Sequence, residues 1–247
     1  MQLPADDATT LALWYHLNSG VWSNVEAYVD SVYELHNKTI LDPESISLVP
    51  AGRTPLGETI EARRSCRKFA QRTMPFDKLG RIFHSAYGIT GLRHENGSSW
   101  ATWGRATPSA GGLYPLELYA AIRKTDTVPD GVYHYNPIEQ RLERLTCCAV
   151  SDINRCLVFP DFVENANIVL MISGAFGETL KKYGPRGYRY VMLEAGHCAQ
   201  NLCLLAVESG LATVCLGGFN DRAINKTLGF DVQKEAVLYF MGIGFAA

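Results

Sequence analysis

The sequence predicts an α+β fold in which a mostly antiparallel sheet is wrapped by helices. Three observations predict it. Short strand-like runs, "LELYAAIRK", "GVYHYNP" and "RLERLT", are separated by the turn signals Asp130-Gly131 and Asn136-Pro137, as in an antiparallel meander. A long, mostly apolar helical stretch, "YRYVMLEAGHCAQNLCLLAVESG", needs cover on most of its sides from the domain or from a partner subunit. Two further apolar runs, "NIVLMISGAF" and "AVLYFMGIG", read as buried strands.

Taken in order, the first 50 residues offer helical spacing in "LALWYHLNSG" and "VEAYVDSVYELH". "LDPESISLVPAGRTPLGET" then breaks that pattern with prolines and glycines. The chain divides into an N-terminal helical arm, residues 1–52, and one domain, residues 53–247. From "TPLGETIEARRSCRKF" the expectation is helix. In "FDKLGRIFHSAYGITG", Leu79, Ile82, Phe83 and Ala86 share a helical face that Gly88 and Gly91 end. The meander and "NIVLMISGAF" follow, then the long helix closed by Gly210. The strand "ATVCLGGF", the short helix "DRAINKTLGF" and the last strand complete the chain.

Composition narrows the function. With 47% hydrophobic and 19% charged residues, 247 residues suffice for one well-buried domain. The 23 basic and 25 acidic residues leave a net charge of -2, which lacks the electrostatic footprint of a nucleic-acid binder, so a small molecule or peptide is the expected ligand. "MQLPADDATT" has acids where a secretory signal has basic residues, and no stretch approaches the roughly 20 apolar residues of a bilayer span. A soluble, cytoplasmic protein is expected. The seven cysteines include no CxxC pair and read as reduced thiols.

Four constellations could carry chemistry. In "EARRSCRKF", Arg63, Arg64, Ser65 and Arg67 can grip a phosphate from several directions, or can form a solvated helix face. In "RATPSAGGLYP", two prolines and the pair Gly111-Gly112 give a rigid turn with bare main chain. Gly217-Gly218 ends an apolar strand ahead of a helix, where a flat ring or a phosphate could approach, though a glycine pair also ends strands for conformational reasons. In "KKYGPRGYRY", Lys182 stands among other cations, which disfavour its ammonium form, and with partial burial it could serve as a base; otherwise this is a basic loop. Glu194-x-x-His197 has the spacing of carboxylate-bridged metal ligands, yet no second ExxH accompanies it, so a structural His197 and no metal are expected. Dinucleotide, P-loop and GxSxG fingerprints are missing.

These pieces, "RRSCRKF", "TPSAGGLYPLELY", "KYGPRGYRYVMLEAGHCAQNL" and "LGGF", occur in an order that resembles the FMN-dependent nitroreductase superfamily. Within it the resemblance is to the SagB-type dehydrogenase branch, whose members oxidise azolines in modified peptides. It covers roughly residues 55 to 245 and implies a dimeric nitroreductase-like fold. It assigns Arg63, Arg64, Ser65 and Arg67 to the FMN phosphate and ribityl chain. Pro108, Ser109, Ala110, Gly111 and Gly112 would come from the partner subunit and lie against the isoalloxazine. Leu216, Gly217 and Gly218 would lie near the ring on its other side, and Lys182 and Tyr183 fall on the family's proposed catalytic pair. The chain stops at "GIGFAA" without the arginine-bearing extension of many nitroreductases, and its first 50 residues lack a clear match to the fused winged-helix peptide-binding domain of longer members.

The resemblance implies a homodimer with interfacial FMN that oxidises thiazoline or oxazoline rings to thiazoles or oxazoles, with dioxygen as acceptor and a cyclodehydratase complex as possible partner. Two alternatives stand beside it: an NAD(P)H-dependent reductase of nitroaromatics or quinones, and a flavin-free scaffold subunit.

Overall fold

A computed structural model describes residues 14–16, 19, 46–48, 52–94 and 101–247. The chain runs through α1 (Pro55–Ala62), α2 (Phe76–Tyr87), the hairpin β1 (Ile89–His94) and β2 (Ala101–Arg105), and a 3-10 turn at Ala110–Gly112. There follow β3 (Leu116–Ile122), β4 (Gly131–Asn136), β5 (Arg141–Leu145), α3 (Val150–Asn154) and a second 3-10 turn at Pro160–Val163. The rest is β6 (Ile168–Ala175), α4 (Gly177–Tyr183), α5 (Arg186–Glu208), β7 (Ala212–Leu216), α6 (Asp221–Leu228) and β8 (Glu235–Gly244).

A strand whose apolar residues do not alternate with polar ones must be covered on both faces, and β6 is buried from Ile168 to Gly174. It is central in a six-stranded sheet of order β5-β4-β3-β6-β8-β7, in which every pairing is antiparallel. Ile168, Leu170 and Ile172 point to the core shared with α2 and α5, while Val169 and Met171 point to the core shared with α3 and α6. The predicted α+β architecture, its meander and the long helix are all present.

α2 buries Leu79, Ile82, Phe83, Ala86 and Tyr87 on one stripe. At roughly 1.5–3 kcal/mol for each large apolar side chain, that stripe pins the helix, and with it the Tyr87 end, to the sheet. α1 begins on Pro55 after an N-cap, Thr54, whose Oγ1 accepts from the Gly57 N–H at 3.1 Å.

The predicted helix over "TPLGETIEARRSCRKF" is too long. It ends at Ala62, and Arg63 is already extended. Long-range pairing outweighs local helix propensity there: Ser65 bridges Thr213 in parallel, and the Cys66 N–H donates to the Thr213 carbonyl at 2.8 Å. Further along, Ala70 N–H donates to the Phe245 carbonyl at 2.8 Å, and Ala247 N–H to that of Lys68 at 3.1 Å. The arginine segment is therefore a fixed, extended strip beside β7.

Of the N-terminal arm, Trp14, Tyr15 and His16 are helical, and buried His16 docks on α5 with Nδ1 2.9 Å from the Tyr188 hydroxyl. The segment "VEAYVDSVYELH" lies outside the described residues. Among those residues no helix is long and apolar enough to cross a membrane.

Candidate functional site

The turn between β2 and β3 is anchored before it bends. Thr107 Oγ1 donates to the Ala86 carbonyl at 2.8 Å and accepts from Asn201 Nδ2 at 3.1 Å, tying the turn to α2 and α5. Gly111 and Gly112 then take positive φ values of 61° and 65°, which glycine tolerates without strain. Tyr114 takes φ 48°, a strained value for a bulky residue. Two bonds hold it there: its N–H donates to Ser109 Oγ at 2.8 Å, and its hydroxyl accepts from the Arg105 N–H at 3.1 Å.

This bare turn faces the lysine-tyrosine pair. A Cβ built on Gly111 would overlap the Tyr183 hydroxyl and lie 2.5 Å from Lys182 Nζ. Both side chains stand at the end of α4, which Gly184 stops with φ 59°. α5 starts almost at once because Gly187 packs on α4 itself; a Cβ there would be 2.6 Å from the Thr179 carbonyl oxygen. Tyr183 meets the Tyr190 ring edge-on at 5.1 Å, and the Lys182 amine lies 5.4 Å from the centre of the Tyr183 ring. Lys182 is exposed, so this chain by itself does not supply the partial burial a lysine base needs.

Behind the turn lies a buried polar network that the sequence reading did not find. Tyr87 Oη donates to Glu194 Oε1 at 2.7 Å and accepts from the Leu116 N–H at 3.1 Å. Glu194 also shares a side-chain hydrogen bond with Ser109. The Arg105 guanidinium stands over the rings of Tyr87, at 4.5 Å, and Tyr114, at 5.4 Å, with Nη1 buried and unpartnered. Burial raises the Glu194 carboxyl above its ordinary range, against the hydrogen bonds of Ser109 and Tyr87 and the charge of Arg105. Burial, followed by the charge of Glu194, also raises the Tyr87 hydroxyl, which favours its role as donor.

Glu194 and His197 do not converge: the glutamate is buried and the histidine exposed. Among the described residues, no group of three His, Cys, Asp or Glu side chains could hold a metal ion. The signal for Glu194 was present in the sequence, as a carboxylate between Val191 and Cys198 on the buried stripe of α5.

The other predicted residues form a second group. Arg63, Ser65 and Arg67 lie on the extended strip beside β7, with Arg67 5.4 Å from the centre of the Phe162 ring. Arg64 Nη1 donates to the Glu61 carbonyl at 2.6 Å and to that of Arg63 at 2.8 Å. Leu216 closes β7 and is buried; Gly217 is exposed with nothing within 4 Å of an added Cβ. Gly218 meets Val158 at 3.5 Å, and its carbonyl accepts the Val158 N–H at 3.0 Å. Ser109 reaches α5 at Glu194, whereas the charge of Arg63 bears on Cys203. Nine residues of helix separate those contacts, roughly 13 Å at about 1.5 Å per residue. A cavity of about 470 Å³ lies between α1 and the C-terminal half of α5, framed by Pro55, Thr59, Ala106, Asn201 and Leu205.

The nitroreductase family model matches residues 60–245. A Methanocaldococcus jannaschii protein named as a nitroreductase is 34% identical over 204 residues, covering 82% of this chain and 97% of that protein. The microcin B17-processing protein McbC of Escherichia coli is 32% identical over 146 residues, covering 57% of this chain and 54% of McbC. The E. coli microcin synthetase McbBCD complex, solved with truncated pro-MccB17 bound, shares the fold at TM-score 0.70 and 24% identity, over 97% of this chain and 93% of the matched one. A Ralstonia eutropha JMP134 structure described as a nitroreductase has TM-score 0.63 at 25% identity, over 82% and 88%.

Proposed function

The chain belongs to the nitroreductase family, and from that premise we propose that it is an FMN-dependent dehydrogenase oxidising thiazoline or oxazoline rings to thiazoles or oxazoles in a peptide-derived natural product. One observation carries the reading: the bare backbone of Gly111 lies against Lys182 and Tyr183, so the turn assigned to the flavin and the pair assigned to proton transfer form one site. The likeness to McbC, a microcin B17-processing protein, supports a peptide substrate, and the reading includes a cyclodehydratase complex as partner.

The residues present fit a flavin. Arg63, Arg64, Ser65 and Arg67 offer charge-assisted donors on a strip whose backbone is fixed. Pro108, Ser109, Ala110, Gly111 and Gly112 offer a turn with no side chain beyond Cβ at its tip, and the Leu216–Gly218 loop leaves Gly217 open to approach. Bound FMN would supply a two-electron acceptor that dioxygen reoxidises. Lys182 takes the ring proton next to the substrate carbonyl, and Tyr183 orients the amine or donates to the carbonyl oxygen. The network of Glu194, Tyr87 and Ser109 holds the turn at the distance this needs.

A homodimer accounts for the separation of the two groups along α5. Each cofactor would take its arginine strip from one subunit and its glycine turn, with Lys182 and Tyr183, from the other. The outer face of α5 exposes Met192 and Leu193, at 40% and 54%, two apolar side chains that such an interface would cover. Cover from the partner would also give Lys182 the burial that one chain leaves out.

The test is an absorbance spectrum of the purified protein, followed by incubation with an azoline peptide in air. Flavin absorbance and loss of two hydrogens from the peptide are expected. A colourless protein that cannot be reconstituted with FMN overturns the reading. The nitroreductase name of the Methanocaldococcus relative favours a second reading, NAD(P)H-dependent reduction of nitroaromatics or quinones. Rapid bleaching of the flavin by NAD(P)H would select it.

A further inference from the structure

Two thiols between α5 and β7 take no part in the chemistry above. Cys203 is buried on the α5 face turned to the sheet, Cys215 is half-buried on β7, and their sulfurs lie 3.6 Å apart. A disulfide is about 2.05 Å long, so closure needs about 1.5 Å of approach between two residues on firmly packed elements.

The two sulfurs are not equivalent. The hydrogen bond with Cys215 lowers the Cys203 thiol against its burial, and the Thr213 hydroxyl, which donates to its sulfur at 3.5 Å, and the charge of Arg63 add to this. Cys215 moves the other way, through the same bond with Cys203 and through burial. Either thiol can donate across the 3.6 Å contact, and the hydroxyl of Thr213, which donates to Cys203 alone, favours Cys203 as the nucleophile. Cys198, on the same helix, provides the contrast: it is buried and pushed up to about 12 by desolvation.

We propose that Cys203 and Cys215 are a peroxide-responsive dithiol that closes to a disulfide beneath the Arg63–Arg67 strip. The Cys203 thiolate attacks hydrogen peroxide, breaking the O–O bond, forming Cys203 sulfenic acid and releasing hydroxide. The Cys215 sulfur then attacks the sulfenic sulfur and displaces its oxygen, which leaves as water once protonated by the thiol. The sulfur pair loses two electrons and the peroxide gains them. Thr213 lies on β7 two residues before Cys215, donates to the Cys203 sulfur and carries the backbone pairing to Ser65 and Cys66, so closure pulls on the strand that fixes the arginine strip. A flavin oxidase would release peroxide nearby, but the reaction needs only added peroxide, so this proposal and the flavin reading fail separately.

The intact protein is treated with hydrogen peroxide, alkylated without reduction and cleaved after glutamate. Cleavage at Glu208 puts the two cysteines on separate fragments, 195–208 and 209–235. The expected result is a reducible link between Cys203 and Cys215 that forms at least about tenfold faster than any oxidation of Cys198, in line with their opposite thiol shifts. In Cys215→Ser the Cys203 sulfenic acid should persist long enough to be trapped by a dimedone probe. A wild-type map in which both thiols stay free while other cysteines oxidise overturns the proposal. So does a link that joins Cys147 to Cys148, whose sulfurs are 3.8 Å apart, in place of this pair.

Discussion

The backbone of Gly111 lies so close to the Tyr183 hydroxyl that a β-carbon there would overlap it. Gly111→Ala therefore meets two obstacles. Its φ of 61° costs an alanine roughly 1–2 kcal/mol, and the new methyl group pushes Tyr183 and Lys182 aside. The arginine strip is untouched. The expected outcome is a folded protein that still binds FMN but whose turnover falls by about 100-fold, the usual scale for an ångström of misplacement. Steady-state rates beside a flavin titration check it; a variant with native rates would show that the turn and the pair are not one site.

Glu194 accepts from Tyr87 on α2 and bonds to Ser109 in the turn, so it joins two elements far apart in sequence. Glu194→Ala leaves the Tyr87 hydroxyl without its acceptor in a dry site, at a cost of about 1–3 kcal/mol. Glu194→Gln keeps an oxygen acceptor at the same place and should lose less. Urea midpoints for the three proteins should fall in the order wild type, Gln, Ala. Equal midpoints for the two variants would mean that neither the volume nor a neutral acceptor at this position is what Glu194 supplies.

His134 stands between two carboxylates, with Nε2 2.8 Å from Glu117 and Nδ1 3.3 Å from Glu143, and its ring meets Tyr119 at 5.0 Å. The hydrogen bond to Glu117 leads in raising its pKa, against the effect of burial. Glu143 is held down to about 2 by hydrogen bonds from Asn136, Arg141 and His134, so it remains ionised and the imidazole is what titrates. A histidine with a raised folded pKa binds its proton more tightly when folded. Its contribution is full below about pH 6.5 and is lost as pH rises through the folded value. Melting temperatures should fall as the pH rises above about 6.5, by no more than roughly 2–4 °C given the partial exposure. His134→Gln should remove that part of the pH dependence; an unchanged slope would place its origin elsewhere.

The sequence showed the fold wherever local pattern and burial agree. β3, β4 and β5 were legible because Asp130-Gly131 and Asn136-Pro137 mark their ends, and α5 because its apolar stripe runs from Val191 to Ala206. Arg63 to Lys68 reads as helix in the sequence because its partners, Thr213 and Ala247, are far away in the chain and leave no periodic trace. The β1–β2 hairpin was missed: "ITGLRH" and "ATWGR" carry no strict alternation and lie outside the main sheet. The candidate site residues are picked out by ordered motifs, but their division into two groups along α5 leaves no mark in the sequence. The link between Tyr87 and Glu194 spans 107 positions, a separation no local spacing rule can reach.

Lys182 gives the sharpest test of the chemistry because it is exposed and can be replaced without opening the core. General-base catalysis contributes about 10²–10⁴-fold, so Lys182→Ala should retain bound yellow FMN and lose turnover on that scale. Lys182→Arg separates the base from the charge: guanidinium keeps a cation near Tyr183 but does not deprotonate in proteins. If lysine takes the ring proton, arginine should be as inactive as alanine. If arginine restores the rate, the amine acts only as a positive charge, and the proton must leave through Tyr183. Tyr183→Phe tests that route, since its ring still packs on Tyr190 while its hydroxyl is gone. Full activity in Lys182→Ala, measured as loss of two hydrogens from an azoline peptide at saturating FMN, would remove the lysine from the mechanism.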